Sequence, residues 1–258
     1  MSLTMIVLIF FIGFIGSFIS GMLGVGGSIV NYPMLLYIPP LLGLAAFSVH
    51  EVTGISAVQV LFATIAGVWL FRKDGYLNKR LIVYMGISVL IGSLVGGFGS
   101  TGMSENTINI VYGVLALLAA ILMFVPTKGP DDQPHDQVTF NGPLSAVFAL
   151  IVGIGSGIVG AGGAFLLVPI MLVVLRIPIR MAIASSLAIT FISSLGGTFS
   201  KLATGQVEYI PSIIMVIASI IAAPLGVKLG KKMEPKYLKG LLVIIILGTT
   251  IKIWMDIL

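Results

Sequence analysis

The sequence has very little charge for its length, and this scarcity excludes most soluble folds. Only 9% of the 258 residues are Asp, Glu, Lys or Arg, whereas 58% are hydrophobic, and the mean hydropathy is +1.16. A soluble domain carries roughly 25% charged residues because its surface faces water. A chain so poor in charge must expose most of its surface to lipid, so the composition predicts an integral membrane protein.

Cysteine is absent altogether, and the sequence also lacks the usual motifs of catalysis. Without cysteine there is no disulfide framework, no thiol chemistry and no cysteine-ligated metal site. There is no P-loop motif for ATP. The two histidines, His50 and His135, lie outside the deep apolar segments, and no carboxylate lies deep in an apolar run, so neither a hydrolytic dyad nor a buried proton relay is indicated. The sequence therefore favours a protein that is not an enzyme, with no cofactor and no metal site.

Long charge-free runs indicate several membrane-spanning helices. The first 49 residues contain no charged residue and no histidine. Further runs of this kind cover 52–71, 81–104, 106–127, 137–175, 181–200, 209–227 and 240–251. Most of them approach the ~20 residues that a helix needs to cross the hydrocarbon core. The charges lie in the short segments between the runs, as expected for a multi-pass, all-α membrane protein in the lipid bilayer.

The chain contains an internal repeat. The glycine pattern G-x-x-G-x-G-G-x-x-x-x-x-P occurs at residues 21–33 and again, 136 residues later, at residues 157–169. Downstream, Gly67, Gly75 and Gly96 are each matched by a glycine 130 residues later. We therefore interpret the chain as two related halves.

A polar segment rich in proline and glycine separates the two halves. We expect residues 1–125 to form the first membrane repeat, residues 126–141 a cytoplasmic linker, and residues 142–258 the second membrane repeat.

The positions of the basic residues predict that the halves insert in opposite senses. Lys and Arg favour cytoplasmic loops. If the N-terminus is outside and the 72–80 loop inside, every Lys and Arg except Lys201 and Lys252 lies on the cytoplasmic side. The 72–80 loop and its repeat partner at 201–208 then lie on opposite faces, which is an inverted-topology repeat as in many secondary transporters. Both termini become extracytoplasmic, and the net charge of +5 does not indicate nucleic-acid binding.

The apolar run after each glycine cluster is too short to cross a membrane. The runs end near Ile38 and near Leu175, so each covers roughly 15–18 Å, about half of the ~30 Å hydrocarbon core. Each half should therefore hold a Gly-rich broken or re-entrant helix pair plus three spanning helices, giving about 8–10 membrane helical segments. Irregular backbone at this depth must be buried in protein or line a cavity, so the two turns should meet near the midplane.

A helix that starts at the midplane directs free N–H groups and its positive dipole end at the centre, where an anion can bind. Polar side chains of neighbouring spans would add selectivity. The predicted substrate-binding residues are Gly26, Gly27, Ser28, Asn31, Ser56, Gln59, Gly162, Gly163, Ala164, Ser186 and Thr190. The alternative is that the glycines only permit close helix packing and the hydroxyls bond their own helix backbone.

The paired glycine motifs, followed by Gly54-Ile55-Ser56 and Ala184-Ser185-Ser186, resemble the TauE/SafE family of sulfite exporters. The resemblance runs from about residue 12 to residue 253. Family members often carry Gly-Thr-Ser where this chain has Gly54-Ile55-Ser56, so one hydroxyl is missing here. The resemblance implies a cell-membrane transporter of small anions such as sulfite, sulfonates or related organosulfur compounds, and occasionally small carboxylates. A coupling ion, the oligomeric state, and the alternatives of a channel or a non-transporting assembly subunit stay open.

Overall fold

The structure is a computed structural model that describes residues 1–72, 75–125, 138 and 140–257. Most of the predicted linker at 126–141, including His135, lies outside the described residues. The described part of the first half contains α1 Leu3–Leu23, α2 Ser28–Leu41, α3 Val49–Phe71, α4 Lys79–Gly99 and α5 Glu105–Phe124, with a short 3-10 helix at Ser100–Gly102. The second half contains α6 Gly142–Val159, α7 Ala164–Val173, α8 Ile179–Ala203, α9 Tyr209–Lys232 and α10 Pro235–Ile257.

The helices of the two halves correspond one to one in order, and eight of those described are long and apolar enough to cross a membrane. Only α2 and α7 are shorter, one in each half. The prediction of an all-α membrane protein with about 8–10 helical segments is confirmed.

The helix pair at each glycine cluster differs from the prediction in the lengths of its helices. The short members have 14 and 10 residues, but the helices before them, α1 and α6, have 21 and 18 residues and are long enough to span. Nothing in residues 3–23 breaks a helix, because this run contains no proline. In the described part of the chain, each half therefore has four helices of spanning length and one short helix, rather than three spanning helices and a re-entrant hairpin. The α2 helix also continues past Ile38, with Pro39 and Pro40 in its last turn.

The outer faces of the long helices are apolar, as a lipid environment requires. On α4, Ile87, Ile91 and Val95 are exposed, while Gly92 and Gly96 on the opposite side are buried. In water such a helix would place its polar residues on the exposed face. This helix therefore presents an apolar surface on both sides, one to protein and one to lipid.

Glycines bring helices of different halves into close contact. A Cβ atom at Gly96 of α4 would overlap the carbonyl oxygen of Ile154 on α6. At the equivalent place in the other half, a Cβ atom at Gly226 of α9 would overlap the carbonyl oxygen of Phe18 on α1. Small residues at such positions let backbones approach closely inside membranes. Close packing, the alternative explanation of the glycines, therefore does account for these downstream glycines.

The equivalent helices α3 and α8 pack against each other and run in opposite directions. The Thr198 hydroxyl, near the end of α8, donates to the carbonyl of Ala57, near the start of α3, over 3.0 Å. Gly67, near the end of α3, lies beside Leu187, near the start of α8. This antiparallel packing supports the inverted-topology repeat, whose insertion in a bilayer stays a prediction.

Loops that were predicted to share the cytoplasmic side meet at one end of the molecule. The Arg180 guanidinium donates to the carbonyls of Lys231, over 3.3 Å, and Met233, over 3.2 Å. The Lys231 ammonium donates to the carbonyl of Leu70 over 2.7 Å. The ends of α3 and α9 and the start of α8 are thereby tied together, in agreement with the predicted grouping of these loops.

The close contact between α4 and α6 at Gly96 can be tested by substitution. Gly96→Ala should lower the thermal unfolding midpoint of the detergent-solubilised protein by roughly 3–10 °C, because the added methyl group overpacks the contact by about 1–3 kcal/mol. Gly99→Ala is the matched control, because nothing lies within 4 Å of a Cβ atom there. Equal midpoints for the two variants would show that the helices are not in the close contact described.

Candidate functional site

The two glycine turns, which follow α1 and α6, have the same backbone conformation. Their equivalent glycines have φ values of 70° and 72° at Gly24 and Gly160, 78° and 65° at Gly26 and Gly162, and 75° and 77° at Gly27 and Gly163. Glycine adopts such angles without the steric penalty that other residues meet. The repeat therefore extends from the sequence to the backbone dihedral angles.

The two turns touch in the interior of the molecule. The Ser28 hydroxyl, at the start of α2, donates to the carbonyl oxygen of Ala161 in the second turn over 2.7 Å. A Cβ atom at Gly26 would lie 3.4 Å from the Cβ atom of Ala164, at the start of α7. Ser28, Ala161 and Ala164 are all fully buried. The expectation that the two interrupted segments converge is confirmed.

The turns pack against α3 and α8 at about half the length of these two helices. A Cβ atom at Gly162 would be 2.7 Å from methyl carbons of both Val60 and Thr190. Val60 is near the middle of α3, which spans Val49–Phe71, and Thr190 is near the middle of α8, which spans Ile179–Ala203. A central site at half height is the arrangement that the sequence predicts, and its depth in a bilayer stays a prediction.

The short helices α2 and α7 begin without a side-chain cap. Their N-cap residues are Gly27 and Gly163, and among the described residues neither helix start has a side-chain cap hydrogen bond. Five other helices have a capping side chain, at Ser2, Ser48, Asn78, Ser104 and Asn141. The first N–H groups of a helix have no partner within it, and they form the positive end of the helix dipole. Two such ends in a buried position can bind an anion.

Asn31, in the first turns of α2, is fully buried, and neither its amide nitrogen nor its amide oxygen has a partner among the described residues. Its side chain lies against α1, where a Cβ atom at Gly16 would overlap the amide oxygen. Leaving a buried polar group unpaired costs about 1–3 kcal/mol. A ligand that pairs with this amide would recover that free energy.

Gln59 adjoins the same turn from α3. Its Nε2 donates to the hydroxyl oxygens of Ser17, over 2.6 Å, and Ser219, over 3.3 Å. These two hydroxyls are themselves 2.7 Å apart. The Oε1 atom of Gln59 is buried and has no partner among the described residues. A Cβ atom at Gly27 would be 3.2 Å from Nε2, so Gln59 lies directly beside the start of α2.

The remaining predicted side chains divide into two groups. The hydroxyls of Ser56 and Thr190 are buried without a partner among the described residues. The Ser186 hydroxyl instead lies 2.8 Å from the carbonyl oxygen of Gly24 and 2.9 Å from that of Ile183. Ser186 therefore holds the first glycine turn against α8, whereas Ser56 and Thr190 retain groups that a ligand can use.

An aromatic stack behind the turns was not predicted. The rings of Tyr32 and Tyr112 stack with centroids 4.4 Å apart, and Phe165 of α7 stacks on Tyr112 at 6.0 Å. The Tyr112 hydroxyl donates to the carbonyl of Ile29 over 2.9 Å, and the Tyr32 hydroxyl to Asn109 over 2.6 Å. One residue of α5 thus contacts both short helices. No sequence pattern predicted this stack, because isolated tyrosines in an apolar run look like ordinary core residues.

Sequence reasoning also missed Ser17 and Ser219, the partners of Gln59. Serine in an apolar helix commonly bonds its own backbone, and Ser219 does so with the carbonyl of Met215. Only the packing of α1 and α9 on α3 shows that both hydroxyls face Gln59.

The predicted location of Lys201 was wrong. From the sequence, Lys201 was assigned to the extracytoplasmic 201–208 loop, but it lies in the last turn of α8 and is fully buried. Its ammonium donates to Ser100 Oγ over 2.7 Å, Gln206 Oε1 over 2.8 Å and the Ile158 carbonyl over 3.1 Å. The ends of α4, α6 and α8 meet here, and a cation is favourable beside helix C-termini. Counting charge by position does not reveal such burial.

The described residues contain no group of three or more His, Cys, Asp or Glu side chains that could hold a metal ion. What the site offers is backbone N–H groups, neutral amides and hydroxyls. Such groups can bind and select a ligand.

Comparison with known proteins places these features in a family. The family model described as "Sulfite exporter TauE/SafE" matches residues 9–253. The "Probable membrane transporter protein YunE" of Bacillus subtilis is 23% identical, over 89% of this chain and 90% of its own length. The "Probable membrane transporter protein MJ0441" of Methanocaldococcus jannaschii is 27% identical, over 93% of this chain and 92% of its own length. No solved structure matches.

The contribution of the buried Lys201 ammonium to stability can be tested by substitution. Lys201→Met keeps the apolar stem but leaves the Ile158 carbonyl and the Gln206 side chain without their donor, at a cost of about 1–3 kcal/mol for each acceptor. The thermal midpoint in detergent should fall by several degrees. Lys228→Met, at an exposed position of α9, removes the same charge and should leave the midpoint unchanged. A midpoint for Lys201→Met at or above that of the control would contradict a stabilising role for the hydrogen bonds of the Lys201 ammonium.

Proposed function

The chain belongs to the TauE/SafE family of membrane transporters, and we propose that it is a secondary transporter of small anions across the cell membrane. The expected substrates are sulfite, sulfonates and related organosulfur compounds. The family's description names sulfite. The sulfonates and related compounds are what the resemblance of the glycine motifs implies. The observation that carries the anion assignment is the meeting of two buried, uncapped helix starts at Gly27 and Gly163.

Backbone groups are the main anion ligands in this proposal. An oxyanion needs several donors, and the first turns of α2 and α7 supply N–H groups that no helix carbonyl uses. Their positive dipole ends act at short range in a medium of low dielectric constant, where electrostatic attraction is strong. The proposed backbone ligands are Gly26, Gly27, Ser28, Gly162, Gly163 and Ala164.

Side chains around the turns then set selectivity. Asn31, Ser56, Gln59 and Thr190 carry buried polar atoms without partners among the described residues, so each can bond a substrate oxygen or hydrogen. Ser186 acts indirectly, because its hydroxyl is engaged with the carbonyl of Gly24. A substrate that leaves these groups unpaired is disfavoured by about 1–3 kcal/mol for each group.

Transport follows an alternating-access scheme in this proposal. The antiparallel packing of α3 on α8 gives the central site two equivalent surroundings, and rocking of one half against the other would open each side in turn. The basic end with Arg180 and Lys231 faces the cytoplasm, and both termini are extracytoplasmic. The energy comes from the gradient of the substrate or of a coupled ion.

Substitution at the glycine turns tests the site. Gly27→Ala places a Cβ atom 2.9 Å from the Gly16 carbonyl oxygen, and Gly163→Ala places one 2.8 Å from Val152 Cγ1, so both displace the helix starts. Uptake of radiolabelled sulfite into proteoliposomes should fall at least about tenfold, the equivalent of 1.4 kcal/mol. Gly43→Ala, also at a positive φ of 70° but with nothing within 4 Å, should retain uptake.

Flux measurements in the same proteoliposomes distinguish a carrier from a channel and from a non-transporting assembly subunit. A carrier gives flux that saturates with substrate concentration, whereas a channel gives flux that rises in proportion to it. An assembly subunit gives no flux for any small anion. If both turn variants transport as well as Gly43→Ala, the anion does not bind at the turns.

A further inference from the structure

We propose that the polar cluster of Ser17, Asn31, Gln59 and Ser219 binds a monovalent cation, Na⁺, next to the anion. The cluster lies beside the first glycine turn, between α1, α2, α3 and α9. The cation site is argued from these side chains, while the choice of a monovalent ion and its coupling to an anion rest on the proposed function.

Two buried oxygen atoms are the core of the site. Asn31 Oδ1 and Gln59 Oε1 have no hydrogen-bond partner among the described residues, and both residues are fully buried. The Nε2 atom of Gln59 is already engaged with the two serine hydroxyls, which leaves its oxygen for another ligand. Neutral amide, carbonyl and hydroxyl oxygens are the ligands that hard cations prefer, and they coordinate Na⁺ at broken helices of transporters.

The side chains of Asn31 and Gln59 belong to one small region around α1. A Cβ atom at Gly16 would overlap Asn31 Oδ1, and a Cβ atom at Gly27 would lie 2.9 Å from the Gly16 carbonyl oxygen and 3.2 Å from Gln59 Nε2. Gly16 and Gly27 therefore join Asn31 to Gln59, and the Gly16 carbonyl is a further candidate ligand. The absence of a side chain at Gly16 is what allows Asn31 to approach α1.

The second half shows that the turn itself does not need this cluster. The residues equivalent to Ser17, Asn31, Gln59 and Ser219 are Gly153, Leu167, Ile189 and Val89. The second turn nevertheless has nearly the same φ angles as the first. Apolar side chains therefore suffice to build the turn, and burying unpaired amides in the first half needs another explanation. Ligand binding in one half only provides it.

The charge balance points to a monovalent ion. The cluster contains no carboxylate and no histidine, and a divalent ion held only by neutral groups would leave two positive charges buried without compensation. A single positive charge is offset by one anion at the adjacent start of α2. The two ions attract each other strongly in a medium of low dielectric constant, so each raises the affinity of the other.

The test measures cation binding on the purified full chain without any anion substrate. The thermal midpoint of wild type should rise by about 3–6 °C when choline chloride is replaced by NaCl at constant ionic strength. Asn31→Leu and Gln59→Ile, which install the second-half residues, should lose this rise. Asn31→Leu should also remain folded, because it removes an unpaired buried amide.

Thr64→Val is the matched control. Thr64 is a buried residue five positions further along α3 than Gln59, and its hydroxyl bonds the carbonyl of Val60. This variant should keep the full Na⁺-dependent rise. Equal midpoints of wild type in NaCl and choline chloride would overturn the cation site, as would an undiminished rise in Asn31→Leu and Gln59→Ile.

Flux measurements separate this inference from the proposed function. If a Na⁺ gradient accelerates uptake of radiolabelled sulfite at least about tenfold in wild type, the coupling is supported. Saturable sulfite uptake that is equal in Na⁺ and choline would overturn the coupling and leave the proposed function intact. A Na⁺-dependent rise in midpoint without any anion flux would leave the cation site intact and contradict the proposed function.

Discussion

A backbone N–H group that is buried in an apolar molecule must find a partner, because no water is there to replace one. In this protein two helices begin at the centre, at Ser28 and Ala164, and neither start has a side-chain cap. The rest of the structure can be understood from that constraint. The glycine turns make the helix starts geometrically feasible, the halves enclose them, and an anion provides the missing partner in the proposed function.

The sequence pattern was sufficient to predict the features that repeat along the chain or that follow from its composition. The duplicated glycine motif predicted two equivalent turns, and the structure gives Gly24 and Gly160 nearly the same φ. Basic residues predicted which loops meet, as Arg180 and Lys231 show. The full length of α1 was missed, because the helix before the turn was assumed to be as short as the helix after it. The burial of Lys201 was missed because two of its three acceptors, Ser100 and Ile158, come from distant segments of the chain.

The candidate site could be predicted only in part for the same reason. Asn31 and Gln59 stood out as polar residues in apolar runs, and both are buried beside the first turn. Ser17 and Ser219 did not stand out, because a serine in a helix can bond its own backbone wherever it lies. The two halves share a backbone plan but differ in side chains, so symmetry explains how the turns form, and the departures from symmetry indicate what each half binds.

The central claim is that the two halves lie in the membrane in opposite senses, so that their interrupted helices meet halfway. Gly75 and Gly205 test it directly, because they are exposed residues at equivalent positions in the two halves. The chain has no cysteine, so Gly75→Cys and Gly205→Cys each introduce a unique thiol. In sealed vesicles of known orientation, a membrane-impermeant thiol reagent should label position 75 only from the cytoplasmic side and position 205 only from the opposite side. Labelling of both positions from the same side would contradict the account.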